Sequence, residues 1–133
     1  MEDHAMKLSE AIRLGAMATE QARNVLIITR QNGSIATCAF GSALYAVGRR
    51  VAWDNPNYSL VLRWPWIEST RMPCPGCGLH MDAKATIIHL NDVHLWSREH
   101  IAHWVSMVEP QEQLLLEDQR EEQPAREYTE VTQ

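Results

Sequence analysis

The chain lacks the features that would place it in a membrane, a disulfide scaffold or a nucleic-acid-binding class. Its longest purely aliphatic run is Val-Leu-Ile-Ile at 25–28. A membrane helix needs about 20 apolar residues, and the core of a secretory signal about 7–15. With no targeting signal visible, the expectation is a cytoplasmic protein that does not contact membrane. Three cysteines are an odd number, which argues against a disulfide framework and for thiols kept reduced. A single Phe stands against five Trp, so large aromatic volume has to come from indoles. There is no internal repeat. There is also no basic excess: residues 1–108 carry ten Lys and Arg against nine Asp and Glu, a net of +1. Residues 109–133 carry two against eight, a net of −6. Neither part has the basic footprint that phosphate backbones require.

At 133 residues and 15.2 kDa the chain fits one small domain, for which a metal staple adds much to a modest core. The reading is a short extension (1–5), a domain (6–108) and an acidic tail (109–133). The expected class is mainly α, a small helical domain with a zinc-clasped loop and at most one short β element.

Leu8, Ala11, Ile12, Gly15 and Ala16 recur at helical spacing, with Lys7, Glu10 and Arg13 opposite, which predicts an amphipathic helix with a small-residue face. Residues 24–30 read as one short strand with no evident hairpin partner. Gln31-Asn32-Gly33 is a turn signal and Ser34 a candidate N-cap. The nearly all-apolar run 35–47 is then a buried helix stopped by Gly48, with Cys38 inside it as a small buried thiol. Asp54-Asn55-Pro56 marks a turn. Residues 58–63 read as a short helix ending near Pro65, although Leu60-Val61-Leu62 also suits a strand. Trp64 and Trp66 bracket Pro65 and are expected to pack over the core beside the metal loop, rather than to form an exposed aromatic platform. Ser97 is a candidate N-cap, with Trp96 and Ile101 placed as a hydrophobic staple. Ile101, Trp104, Val105 and Val108 form an apolar stripe, and His100 and His103 point outward. The tail from Gln111 holds the cluster Leu114, Leu115 and Leu116, read either as a solvated segment or as a docking element for a protein partner.

The chemistry concentrates in CPGCGLHMDAKATIIHLNDVH, residues 74–94. Cys74 and Cys77 form a Cys-x2-Cys pair whose intervening Pro75 and Gly76 let the backbone wrap a metal and aim amides at the thiolates. After eleven intervening residues, Gly78 to Ile88, come His89 and His94, with four residues between them. Two thiolates and two imidazoles are a tetrahedral zinc set, and four protein ligands leave no place for a catalytic water. His80 competes for a ligand position. Asp82, Asn91 and Asp92 fit as turn caps or as groups hydrogen-bonded to the ligands. A redox-enzyme reading of the Cys pair lacks the strand–CxxC–helix context. A zinc deaminase needs an upstream His followed two residues later by a Glu, and here His4 is followed by Ala5 and Met6.

The pieces LSEAIRLGA, CAFGSALYAVG, WPWI before CPGCG, and IIHLNDVHLWSREHIAHWV together resemble a group of short uncharacterised bacterial and phage proteins. Members pair a Cys-Pro-x-Cys-Gly turn with a His-Leu-Asn-Asp-x-His segment and a Trp-Ser/Thr-Arg-Glu helix. The resemblance covers roughly 6–108 and leaves out 24–30 and the tail. It implies a shared zinc-containing helical fold with Cys74, Cys77, His89 and His94 at the matching positions, and implies nothing about activity.

Three functions compete. The first is a non-enzymatic, zinc-stabilised protein-interaction module, such as a phage accessory, structural or host-takeover protein acting in the host cytoplasm or virion. The second is a nucleic-acid-binding regulator using the zinc loop and the helix over 97–108. Against it, Arg71, Lys84 and Arg98 only balance Asp82, Asp92 and Glu99 across 71–108. The third is a metalloenzyme with an open position and Asp82 or Asp92 as base.

Overall fold

A computed structural model describes residues 6–48, 51 and 53–111. The extension expected at residues 1–5 and the cluster Leu114, Leu115 and Leu116 lie outside the described residues. In chain order the elements are α1 (Leu8–Ala18), β1 (Glu20–Gln21), β2 (Ile27–Thr29), β3 (Ile35–Thr37), α2 (Ala39–Val47), α3 (Pro56–Arg63), α4 (Trp66–Ser69), β4 (Arg71–Pro73), β5 (His80–Asp82), α5 (Ala83–Asp92) and α6 (Arg98–Val108). The fold is mainly α, with two small sheets rather than one short strand.

The strand expected at 24–30 has a partner after all. β2 and β3 form an antiparallel hairpin around the Gln31-Asn32-Gly33 turn, pairing Ile28 with Ala36. Asn32 Oδ1 accepts from the Ser34 amide and hydroxyl, so Ser34 serves the turn and does not cap a helix. β1 adds parallel to β3, pairing Glu20 with Ala36 and Gln21 with Thr37. β3 is therefore the central strand. Covered on its edges and packed on α2, it shows no polar alternation, which is why 35–37 reads as the start of an apolar helix. The helix begins at Ala39. Cys38 is its N-cap, its Sγ accepting from the Gly41 amide at 3.4 Å, and its side chain is only partly buried.

Elsewhere local signals agree with the fold. Asn55 caps α3 through the Tyr58 amide and Pro56 opens it, so Leu60-Val61-Leu62 is helical. Gly48 ends α2, its amide donating to Leu44 O. Ser97 Oγ caps α6 by accepting from the His100 amide at 3.0 Å. The core collects Leu8, Ile12, Phe40, Leu44, Ile67, Ile87, Leu90, Ile101 and Val105, with Trp64, Trp66 and Trp104 also buried. Trp64 Nε1 donates to Met6 O, so this indole is a wall of the core and not a platform.

α1 and α2 pack backbone against backbone. A Cβ at Gly15 would lie 1.7 Å from Ser42 O, so only glycine lets the two backbones meet there. α6 packs on the same buried face of α1, running antiparallel to it. Arg98, at the start of α6, is buried, and its guanidinium donates to Ala16 O, Thr19 O, Thr19 Oγ1 and Thr37 Oγ1. Burial lowers its pKa from the ordinary arginine value, but arginine remains a cation. Glu109, just past α6, is buried too and accepts from the Ser9 amide at 3.1 Å and the Ser9 hydroxyl at 2.5 Å. A cation thus sits on the carbonyl end of α1 and an anion on its amide end, each opposite the matching pole of the helix dipole.

Candidate metal centre

β4 and β5 pair Met72 with Met81 and Pro73 with His80. Residues 74–79 are the loop of that hairpin. Its closure is fixed by the Cys74 amide donating to Leu79 O and the Gly78 amide to Cys74 O, both at 2.8 Å. The Gly76 amide points at Cys74 Sγ, 3.3 Å away. A Cβ on Gly76 would stand 2.8 Å from the His94 ring, so the loop lies directly on that imidazole and glycine is required for the approach.

The second half comes from the end of α5. Asp82 caps this helix through the Ala85 amide at 2.8 Å. His89 sits in its last turn, and the Val93 and His94 amides both donate to His89 O. The chain then reverses through Leu95, a non-glycine residue at φ +60°. Such a conformation has a strain cost, of order 1–3 kcal/mol. Arg23 holds it: Nε donates to Asn91 O and Nη2 to Leu95 O. Gln21 Nε2 adds a bond to Trp96 O at 2.8 Å. His94 is thereby delivered to the Cys loop by side chains from β1 and the residues that follow it.

The ligand atoms of Cys74, Cys77, His89 and His94 all lie within 4.8 Å of one another. Cys77 Sγ is 3.5 Å from His89 Nε2, and the two imidazoles meet edge to face with centroids 4.7 Å apart. Tetrahedral zinc, at about 2.3 Å to sulfur and 2.0–2.1 Å to nitrogen, would space its ligands roughly 3.4–3.8 Å apart. One edge of the cluster already has that length. The other telling atom is His94 Nε2, which is buried and without any hydrogen-bond partner. A buried orphan nitrogen is costly, and a metal would satisfy it. The four residues can hold a metal ion. Cys74 is buried, His89 and His94 are half-buried and Cys77 is exposed, so the cluster opens to solvent on the Cys77 side.

His80 does not compete. It lies on β5, exposed, its carbonyl accepting from Arg71, and it is not part of the cluster. Asn91 and Asp92 do not contact the ligand atoms either. Asn91 Oδ1 accepts from Gln21 Nε2 and the Ala39 amide, and its Nδ2 donates to Ala22 O and Asp92 Oδ1. Asp92 Oδ1 accepts from the Asn24 amide. This pair bolts the end of α5 to the first sheet and to α2. Sequence reasoning missed Gln21, Arg23 and Asn24 as supports, because their partners lie some 70 residues away and nothing local marks them. His100 and His103 are exposed as expected, with His100 stacked flat on Trp96 at 3.8 Å. A separate groove of about 290 Å³, lined by Cys38, Phe40, Leu60 and Ile88 among others, contains none of the four ligands.

Comparison with known protein families, curated proteins and solved structures returned no match. No helix among the described residues is long and apolar enough to cross a membrane.

Proposed function

We propose that the chain is a non-enzymatic protein-interaction module held in shape by a structural zinc ion on Cys74, Cys77, His89 and His94. The observation that carries this reading is the convergence of four soft and borderline donors with a buried, unpartnered His94 Nε2 among them. Four protein ligands complete a tetrahedral shell, so the metal supplies folding energy and no open coordination position. Its role is to lock the β4–β5 loop to the end of α5. Support for an interaction surface comes from Leu79, Val93 and Leu95, exposed aliphatic side chains in the two segments that carry the ligands. The resemblance to short bacterial and phage proteins extends the reading to an accessory, structural or host-takeover role.

The nucleic-acid alternative loses ground on a specific observation. Arg98, the basic residue of α6, is buried on α1, and the exposed positions of that helix include Glu99, His100, His103 and Met107. An exposed basic row, which duplex binding needs, is missing from this helix.

The test is metal content and its coupling to folding. Purified protein should carry about one zinc per chain, and chelation should abolish or strongly lower its thermal transition. Zinc binding in finger peptides is on the order of 10–16 kcal/mol, as large as the stability of a whole domain. A Cys74→Ala protein that is metal-free yet melts at the wild-type temperature would refute the proposal.

A further inference from the structure

We propose that Cys77 is a peroxide-reactive thiolate, and that its oxidation to a disulfide with Cys74 opens the clasp and releases the metal. The inference rests on the zinc reading above and assigns that site a regulation. Two cysteines of one site are presented very differently: Cys74 is 2% exposed, whereas Cys77 is exposed at the loop surface. An oxidant therefore reaches Cys77 first. The partner sulfur is at hand, since both belong to the group whose ligand atoms lie within 4.8 Å. The loop between them is Pro75-Gly76, short enough for a Cys-x2-Cys disulfide. Metal coordination keeps both sulfurs as thiolates, the nucleophilic form.

The chemistry closes without a missing reagent once hydrogen peroxide is named as oxidant. Cys77 Sγ attacks one peroxide oxygen, the O–O bond breaks, and hydroxide leaves, giving a sulfenic acid at Cys77. Cys74 Sγ then attacks the Cys77 sulfur, forming the S–S bond and expelling the second hydroxide. Two thiolates lose two electrons in total, and one peroxide becomes two hydroxides, which take two protons from solvent to become water. The metal keeps only His89 and His94, and Gly76, which rests on the His94 ring, transmits the change to the second half of the clasp. The third thiol is a spectator. Cys38 is partly buried, caps α2 through the Gly41 amide, and lines the separate groove. The Cys-x2-Cys loop lies between two strands and not at a helix N-terminus, so the oxidation is stoichiometric and not an oxidoreductase turnover.

The experiment uses the full chain loaded with one zinc. It is titrated with hydrogen peroxide while released zinc is read with a chromogenic chelator. Cleavage after Arg71 and Lys84 gives one peptide holding both cysteines, and that peptide should lose two hydrogens as one zinc leaves per peroxide consumed. Dithiothreitol with added zinc should restore the loaded form. Cys38→Ser should respond as the parent does. Cys77→His, which keeps four ligands and removes the exposed thiol, should release zinc at least about tenfold more slowly. The order of modification in the unaltered chain gives an answer that depends on no variant. Zinc that stays bound under excess peroxide, oxidation that maps to Cys38, or oxidation of Cys74 with Cys77 intact would each overturn the inference and leave the zinc reading standing. A chain that holds no zinc at all overturns both.

Discussion

Removing Glu109 should unfold the protein at markedly lower denaturant, although Glu109 belongs neither to the Cys and His cluster nor to the apolar core. The side chain is buried and receives two hydrogen bonds from Ser9, the second residue of α1. No side-chain cap bond is made by Lys7 at the N-cap position of that helix, so Glu109 is a cap supplied from 100 residues away. Hydrogen bonds to a charged group contribute about 1.5–3 kcal/mol each, and loss of an N-cap costs about 0.5–2 kcal/mol. These figures overlap, since they describe the same contact. Glu109→Ala is therefore expected to cost about 2–4 kcal/mol. With a urea slope near 1.5 kcal/mol/M the midpoint would fall by roughly 1.3–2.7 M. Glu109→Gln should fall between, because one amide oxygen can still accept from Ser9 while the charge opposite the helix pole is gone. The assay is urea unfolding of the zinc-loaded chain at fixed free zinc, with slopes compared to confirm that only stability has changed. Glu99→Ala, exposed on the same helix, is the control and should stay within about 0.5 kcal/mol of the parent. Arg98→Ala, at the far pole, should cost on the order of 3–5 kcal/mol by leaving buried α1 carbonyls unsatisfied. The two losses should be nearly additive, since about 16 Å of helix separates the sites. A Glu109→Ala midpoint indistinguishable from the Glu99→Ala control would refute the reasoning.

Two further perturbations test the packing. Gly15→Ala places a methyl 1.7 Å from Ser42 O and must push α1 off α2. A loss of about 2–3 kcal/mol, or roughly 5–10 °C by calorimetry, is expected, with Met17→Ala on the exposed face of α1 leaving the melt unchanged. Burial raises the Cys38 thiol above its ordinary value of 9.0, so the native state holds this proton more tightly than the unfolded chain. The resulting stabilisation is complete below about pH 9 and is lost as pH rises beyond it. Urea midpoints measured from pH 8 to 10.5 should decline less steeply in Cys38→Ala than in the parent, and equal slopes would show that Cys38 plays no part.

The cluster of Cys74, Cys77, His89 and His94, which can hold a metal ion, could be read from the sequence because its determinants are local. Two thiols in one turn, and two imidazoles at the end of one helix, are each short-range patterns, and only the meeting of the halves had to be supplied by the fold. The cap at Ser97 was legible for the same reason, since it bonds an amide three residues on; Asn55 and Asp82, read only as turn or supporting residues, cap α3 and α5 by the same spacing. β3 was not legible, since Ile-Ala-Thr followed by Cys-Ala-Phe reads as one apolar run, and the break at Cys38 rests on an N-cap by sulfur, a weak acceptor seldom found there. Nor did the sequence show that Gln21, Arg23 and Asn24, in a stretch with no evident motif, steer the end of α5.

The charges of α6 show most clearly what sequence reading by single elements overlooks. A helix is helped by anions in its first turn and cations in its last. α6 has Arg98 at its first residue and Glu109 just past its end, the reverse of what its own dipole favours. α1, read alone, has Glu10 accepting from the Lys7 amide at 3.4 Å, no side-chain cap bond from Lys7 itself, and no basic residue in its last turn. Ser97 caps α6 and Glu99 lies in its first turn, so only Arg98 and Glu109 stand against its own dipole. The two helices are 11 residues long and antiparallel, so the ends of one fall beside the opposite ends of the other. The reversed charges of α6 are then correctly placed for α1. Two equal-length helices, one with no basic residue in its last turn and the other with a buried cation at its start and a buried anion just past its end, are therefore a detectable sequence pattern for an antiparallel pair. It becomes visible only when the two segments are considered together. The same logic explains why the pair can bury two full charges without an ion pair between them: each charge is bonded to backbone groups that would otherwise be unsatisfied at a buried helix end.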